Sequence, residues 1–555
     1  MRLTIYHSVE LIDFRIMRRA SYLSLVRRTL STAMMAAAVL FMASCGDDPT
    51  TPEPTPTPTP SVKVDEVVKW MDGRLQKEYM WMDEYNEKHS NFDLSLAWDK
   101  FLDKTLLSLT TNKADGGEDD YGRYIYTYVT REQKTKADDT RATFPTTAGY
   151  GIELHPVVYI GIAKSLDGYT KDDGAFFIDH VYPGSAAEEA GLQRGDWILQ
   201  VDGKKISQHN YSELIAAVRS KTGSAKLTAY YYDEQSEKGK IDDYSLTTSD
   251  FEQNPVAFCD VLTLDEKFGA GDKKVGYLSY LSFDGDFDDA LVDAMTDLSQ
   301  KGVTDMILDL RINGGGHVTS SVLLASMLLD ESYVGPGKIY ARLKHNPNNK
   351  VNEDEEYTLQ NRYTPNGASA SVDLPNIGIN KLWVICSEYS ASASEMVIVG
   401  LRGLGIDVEL VGKRTEGKNC GMEVTYKTVD DYKYEFAPIT FMNENGEGFS
   451  DYADGITPDF DFSIYEDDTS IDESLSDECY YYPMPRAEWG DAKRDFALCE
   501  VVKQICGSSL FESSAEAFAP KRVVTRSGGA EAKYKTLKFE REGLLSRGMI
   551  VELEE

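Results

Sequence analysis

The residues best placed to do chemistry are Ser390-Ala391-Ser392-Ala393-Ser394-Glu395 and, 26 positions after Ser392, Lys418 behind Gly417. Histidine is scarce, with seven in the chain and none near these serines. A serine among small residues and a lysine in a glycine turn suit nucleophilic catalysis with lysine as base. An ordinary lysine has a pKa near 10.4, so it must lose about three units, or about 4 kcal/mol, to accept a proton at neutral pH. Burial can supply that. Gly417 permits close approach, and Lys413 and Arg414 are expected to disfavour charge on Lys418.

An oxyanion formed at Ser392 needs preorganised donors, each worth about 3 kcal/mol. The Ala393 amide is one. The second is expected from Gly314-Gly315-Gly316, where no Cβ blocks the backbone, with Gly315 favoured and Gly316 next. A phosphate cradle is a poor alternative, because neither a Walker lysine nor GxGxxG spacing is present. Glu395 either orients the lysine or the helix start, or simply complements the helix dipole; both readings stay open. Ser390 and Ser394 read as turn and capping residues, with Ser390 the second choice of nucleophile. His317 reads as a helix-start residue, with substrate contact the alternative.

These residues need a scaffold. An apolar run from Lys381 to Cys386 precedes the serines and a helical pattern, Met396 to Leu401, follows them: a strand, a tight turn, a helix. Val303 to Leu310 is likewise an apolar strand leading into the glycines. Residues 260–480 alternate strands and helices, which implies an α/β domain with mainly parallel pairing, and Val424 to Phe441 alternates like a β-ribbon. Residues 62–143 look helical, apart from a polar stretch from Thr110 to Thr140 expected to be partly loop. Residues 144–236 read as short strands with turns. In 481–555, a helix over 488–506 leads to a weakly patterned tail. The fold class is multidomain α+β with an α/β catalytic domain, as 555 residues exceed a single compact core.

The formal charge of -34 argues against nucleic acid as a partner, since a polyanion is repelled. Arginines before the apolar segment Ala33 to Ala43 read as a secretory signal over residues 1–44. Met42-Ala43-Ser44-Cys45 resembles the bacterial lipobox, which implies lipidation of Cys45 and a membrane anchor. Gly46-Asp47-Asp48 resembles a surface-export signal of Gram-negative lipoproteins. Residues 45–61 then form an anchor cysteine and a Pro/Thr-rich spacer. An exported outer-membrane lipoprotein, facing the periplasm or the surface, is the expectation. The remaining cysteines make no CxxC metal pattern, and no metal or cofactor is expected. Cys479 has Cys499 or Cys506 as possible disulfide partners, and Cys386 reads as a small core residue.

Pro183-Gly184-Ser185-Ala186-Ala187, Ala190-Gly191-Leu192 and Gly195-Asp196 to Asp202-Gly203 resemble a PDZ domain. The resemblance implies capture of a C-terminal peptide tail, with Gly149, Tyr150, Gly151 and Ile152 as the carboxylate-binding loop. Asp309-Leu310-Arg311-Ile312-Asn313-Gly314-Gly315-Gly316, the serine run, Gly417-Lys418, Gly276-Tyr277-Leu278 and Gly455-Ile456-Thr457-Pro458-Asp459 resemble the C-terminal processing peptidases, or tail-specific proteases. That resemblance implies a crotonase-like catalytic domain, Ser392 as nucleophile, Lys418 as base, an acidic residue at Glu395 and protein substrates cut near their C-termini. Met422 stands where some members carry glutamine, and Gly403 where some carry an acid, so a third assisting residue is in doubt. The rival readings are a catalytically inactive peptide- or ligand-binding lipoprotein and a crotonase-like acyl-CoA enzyme.

Overall fold

The computed structural model describes residues 64–119, 122–133, 146–159, 168–170, 173–207, 209–233, 236, 238–264, 266–462, 486–508, 534–536 and 549–552. The chain divides into Met1–Val62 and Lys63–Glu555, and all described residues belong to the second unit. The signal, Cys45, the spacer and Cys479 lie outside them. Among the described residues no helix is long and apolar enough to cross a membrane.

Three helices come first: α1 (Glu66–Glu78), α2 (Met82–Lys88) and α3 (Trp98–Leu106). Asp65 starts α1 by accepting from the Val67 amide at 2.8 Å. The buried stripe Val67, Val68, Met71 and Leu75 shares its core with Cys420, Met422, Val424 and Phe436, so these helices lean on strands far along the chain. The polar stretch after α3 contains β1 (Tyr128–Gln133), antiparallel to a strand far along the chain. A pairing so distant leaves little local pattern, which is why the sequence reads as loop.

The second region holds β2 (Thr146–Gly149), β3 (Ile152–Tyr159), β4 (Ala175–Val181), α4 (Ala186–Ala190), β5 (Trp197–Val201), α5 (Tyr211–Val218), β6 (Ser224–Asp233), β7 (Lys238–Thr247) and β8 (Ser249–Glu252). Its sheet runs β7-β6-β5-β4-β3, all antiparallel. Leu154, Phe176, Ile178, Ile198 and Leu227 meet Leu214 and Ile215 of α5 in the core.

The third region begins with β9 (Val256–Val261), β10 (Val275–Tyr280), α6 (Asp288–Lys301), β11 (Asp305–Asp309), α7 (Val318–Leu328), β12 (Ile339–His345) and β13 (Glu355–Thr358). It continues with β14 (Lys381–Cys386), α8 (Ala393–Gly403), β15 (Asp407–Gly412), β16 (Cys420–Val429), β17 (Tyr432–Ala437), β18 (Ile439–Asn445), β19 (Phe460–Asp461) and α9 (Phe496–Ile505). The main sheet is ordered β9-β10-β11-β14-β15-β19, and only the β9–β10 pair is antiparallel. Helices α6, α7 and α8 cover one face and α9 the other. Burial on both faces explains why β14 is a continuous apolar run. The expected ribbon belongs to a second sheet, β13-β12-β18-β16-β17-β1.

Two short strands lie near the C-terminal end of the described residues. β20 (Tyr534–Thr536) lies against β3, and β21 (Met549–Glu552) lies against β16. Cys499 is disulfide-bonded while Cys506 is a free thiol, which settles which of the two cysteines forms a bridge. Cys386 is a buried free thiol in β14, as expected.

Candidate active site

Strands β11 and β14 are parallel neighbours with Asp309 opposite Ile385. Their following loops therefore leave the sheet side by side at its carboxyl edge, the place where open α/β sheets put their sites. One loop is Leu310 to Gly316, the other Ser387 to Ser392. Hydroxyls bind them together: Ser387 donates to the Arg311 carbonyl, Ser390 to Leu310 O at 2.7 Å and Ser394 to Asn313 O at 2.8 Å. The flanking serines thus hold the turn. The Ser390 hydroxyl is committed to a buried carbonyl.

Ser392 caps α8 with φ 62° and ψ -111°. A non-glycine residue pays strain for that conformation, and such strain persists where the surroundings over-determine it. The surroundings here are Gly315 and Glu395. A Cβ on Gly315 would lie 2.9 Å from Ser392 Cβ and 3.0 Å from the Ala393 amide nitrogen, so the glycine loop presses directly on the serine turn.

Glu395 is fully buried, and its carboxylate gathers the site. Oε2 accepts from the Ser392 amide at 2.8 Å and from the Lys418 amide at 2.9 Å. Oε1 accepts from the Gly417 amide at 2.8 Å and from the Thr415 hydroxyl at 2.6 Å. A single oxygen bonded to both backbones brings Ser392 and Lys418 together across the 26 residues between them. Burial pushes the Glu395 carboxyl up to about 7, against the pull of its hydrogen bonds. Glu395 sits in the first turn of α8, and its carboxylate meets the backbone of the lysine turn.

The lysine turn is fixed from the other side as well. The Thr415 amide donates to Ile456 O at 3.1 Å, and the Ile456 amide returns a bond to the Thr415 hydroxyl at 2.7 Å. Gly417 has φ 92°, and a Cβ there would meet Ala453 O at 2.3 Å, so only glycine fits. Lys418 is 4% exposed, and its Nζ lies 4.5 Å from the centre of the Tyr126 ring, which comes from the N-terminal region. Lys413 pairs with Glu388 at 3.2 Å and Arg414 donates to Asp454 O at 3.2 Å.

Of the expected oxyanion donors, Gly315 is the one already engaged: its amide donates to Asn313 Oδ1 at 2.9 Å. Among the described residues no acceptor meets the amides of Gly316 or Ala393. His317 caps α7, and its Nδ1 accepts from the Gly285 amide at 2.9 Å, which makes it a helix-start residue. Met422 is buried in β16, and Gly403 ends α8 against Asn445. Neither supplies an assisting group.

In the second region, Gly149 ends β2 and Ile152 begins β3. Tyr150 O accepts from the Ala187 amide at 3.0 Å and Gly151 O from the Tyr182 amide at 2.9 Å, which seats this loop on the start of α4. The His155 ring on β3 lies 5.5 Å from the ring of Tyr389 in the serine turn. A cavity of about 600 Å³ lies elsewhere, lined by Met80, Trp81, Glu84 and Asn346 and by none of the site residues.

Residues 274–462 match the family model for peptidase family S41, and residues 177–228 match that for the PDZ domain. The chain carries a peptidase family S41 domain. It is 28% identical over 272 residues to the chloroplastic C-terminal processing peptidase of Tetradesmus obliquus, a match covering 47% of this chain and 51% of that protein. It is 25% identical over 308 residues to the carboxy-terminal processing protease CtpA of Bacillus subtilis (strain 168), covering 55% and 53% respectively. The chain spans about half the length of these curated relatives. Its fold is similar to the crystal structure of a candidate S41 protease from Bacteroides fragilis NCTC 9343. The TM-score is 0.55 at 23% identity, over 79% of this chain and 97% of that one.

The residues that sequence reasoning missed sit where the S41 domain meets the PDZ domain. Asp495 binds Arg194 of the PDZ domain at 3.1 Å and Arg311 of the glycine loop at 2.9 Å. Arg194 also stacks on Trp489 at 3.8 Å. The only signal was Arg311 within the glycine motif; its partners are remote in sequence.

Proposed function

We propose that the chain is a serine endopeptidase in which Ser392 is the nucleophile and Lys418 the base. It cleaves exported proteins near their C-termini after the PDZ domain has captured the tail. The observation that carries this reading is the Glu395 carboxylate oxygen shared by the amides of Ser392 and Lys418.

In the proposed reaction Lys418 Nζ takes the Ser392 Oγ proton as Oγ attacks the scissile carbonyl carbon. The carbonyl π electrons move to oxygen, and the resulting oxyanion is met by the Ala393 amide and a glycine-loop amide. Gly316 is the better second donor, because Asn313 occupies Gly315. Collapse breaks the C–N bond, and Lys418 returns the proton to the leaving amine. Lys418 then takes a proton from the attacking water, and as the tetrahedral intermediate collapses with cleavage of the bond from the acyl carbon to Ser392 Oγ, it returns that proton to Oγ. Glu395 acts through geometry, because its carboxylate meets the lysine backbone. The loop Gly149 to Ile152 holds the terminal carboxylate of the substrate tail while the rest of that tail adds to β3.

A lipid on Cys45 holds the enzyme to the outer membrane, with residues 45–61 as spacer. Proteins with accessible C-terminal tails are the partners, and no cofactor takes part. The test is cleavage of a reporter with a free C-terminal tail. Ser392→Ala and Lys418→Ala each abolish cleavage while circular dichroism is unchanged; full activity in either variant refutes the dyad. Cys45→Ala shifts the protein from the membrane to the soluble fraction if the anchor reading holds.

A further inference from the structure

The tail-capture edge of the PDZ domain is occupied by the chain itself. Strand β3 pairs with β4 on one side and with β20 on the other. The register is Tyr534 opposite Tyr159, Lys535 opposite Val158 and Thr536 opposite Val157. This pair is antiparallel, so the chain from Tyr534 to Thr536 advances toward Ile152 and the carboxylate loop. A captured substrate tail would run in the same direction along the same edge. A strand edge accepts one added strand at a time.

A second contact, made by β21 further along the chain, lies beside the proposed catalytic residues. Strand β21 runs parallel to β16, with Gly421 opposite Met549 and Val424 opposite Glu552. β16 begins two residues after Lys418. β21 also packs beside α7, which begins two residues after Gly316. β21 therefore touches the strand that follows Lys418 and the helix that follows the glycine loop.

We propose that the C-terminal segment is a cis-acting occupant of the substrate path. Residues 534–536 stand in for a substrate tail on β3 and must leave before one is captured. The inference rests on the tail-capture reading of the PDZ domain. A three-residue strand is a weak ligand, but tethering raises its effective concentration to the order of mM, enough to hold back weakly bound tails. Only proteins with well-matched or locally concentrated tails would displace it.

The test uses the full chain in a Ser392→Ala background, with and without Tyr534→Pro/Lys535→Pro. Two successive prolines remove amide donors from both alternating positions of the ladder. Amide exchange at residues 157–159 reports whether β20 is released. Fluorescence anisotropy of a labelled peptide reports capture, using one with a free C-terminal carboxylate and the same peptide amidated. The expected result is faster exchange at 157–159 and an apparent Kd about tenfold lower for the free-carboxylate peptide, as if about a tenth of the molecules were open beforehand. Unchanged exchange overturns the proposal, because β20 then does not protect β3. Faster exchange with unchanged, measurable binding overturns it too, and leaves the capture reading standing. Faster exchange with no binding by either form removes the capture reading, and this inference with it.

Discussion

Two fully buried carboxylates are handled in opposite ways. Glu395, in the serine turn, is surrounded by neutral donors: three backbone amides and the Thr415 hydroxyl. Burial wins there, and its pKa rises to about 7. Asp495, at the junction of the PDZ and S41 domains, caps α9 and lies between two guanidiniums. Burial works against its charge, but Arg311 and then Arg194 more than offset it, so its carboxyl stays below the usual range. The difference is one of purpose. Ion pairs fix charge and suit a joint, whereas neutral donors fix geometry and leave the charge free to change. A permanent carboxylate beside a lysine would favour the ammonium form, the wrong state for the base proposed at Lys418. The site gathers its backbone around a group that can be neutral.

Removing each carboxylate is the sharpest way to break this comparison. Glu395→Ala leaves four buried donors without an acceptor, at about 1–3 kcal/mol each. The expected outcome is a loss of several kcal/mol in urea unfolding, and cleavage below detection even in the fraction that folds. Asp495→Asn leaves Arg194 and Arg311 facing one another across a weaker partner and costs about 3–5 kcal/mol. The serine turn keeps its own bonds, so folded Asp495→Asn protein should react with a fluorophosphonate at Ser392 at the wild-type rate. Loss of that labelling in folded protein would make the junction part of the catalytic machinery and end the distinction.

Acidity separates the two groups by sign. Glu395 rises from an ordinary 4.5 to about 7 on folding. Between those values the folded chain holds a proton that the unfolded chain has released, so stability falls as pH rises through the window, by about 3 kcal/mol in all. Glu395→Gln lacks this loss. Its stability deficit against wild type should therefore shrink by about that amount between pH 4.5 and pH 8. Asp495 is shifted downward, so its contribution is complete above its ordinary 3.8 and fades as pH falls below it. The deficit of Asp495→Asn should shrink on acidification. Urea unfolding of the three proteins over a pH series gives the answer, and parallel trends would mean that the two environments are alike.

The serine turn, the glycine loop and the lysine were legible because each is local. Small residues beside an apolar run declare a strand-turn-helix, and Gly417 stands next to Lys418. The sequence also showed that a carboxyl stood one helical turn after Ser392, but not that it reaches the lysine backbone. That bond depends on how β15 and β16 are placed by the sheets. The junction was invisible for a similar reason: Arg194, Arg311 and Asp495 lie far apart in the chain and meet only after two domains pack. Strands β1, β20 and β21 are short and paired with distant segments, and such pairing has no periodic signature.

The smallest change that still separates the two regions is a single methyl group. Gly315→Ala puts a Cβ 2.9 Å from Ser392 Cβ and 3.0 Å from both Ala391 O and the Ala393 nitrogen, at φ 108°. These neighbours are backbone or a short, locked side chain, so the serine turn itself must shift. If Ser392 is the nucleophile as proposed, a displacement of that size is expected to cost about a hundredfold in rate. The loss should fall on kcat, with KM for a tailed substrate little changed, because the PDZ loop is untouched. Gly151→Ala is the mirror experiment. Its Cβ would lie 2.1 Å from Ser185 Cβ at φ 77°, which distorts the loop before β3 and should raise KM while kcat holds. If Gly315→Ala instead raised KM and spared kcat, the glycine loop would belong to tail capture, and the oxyanion would have to find its second donor elsewhere.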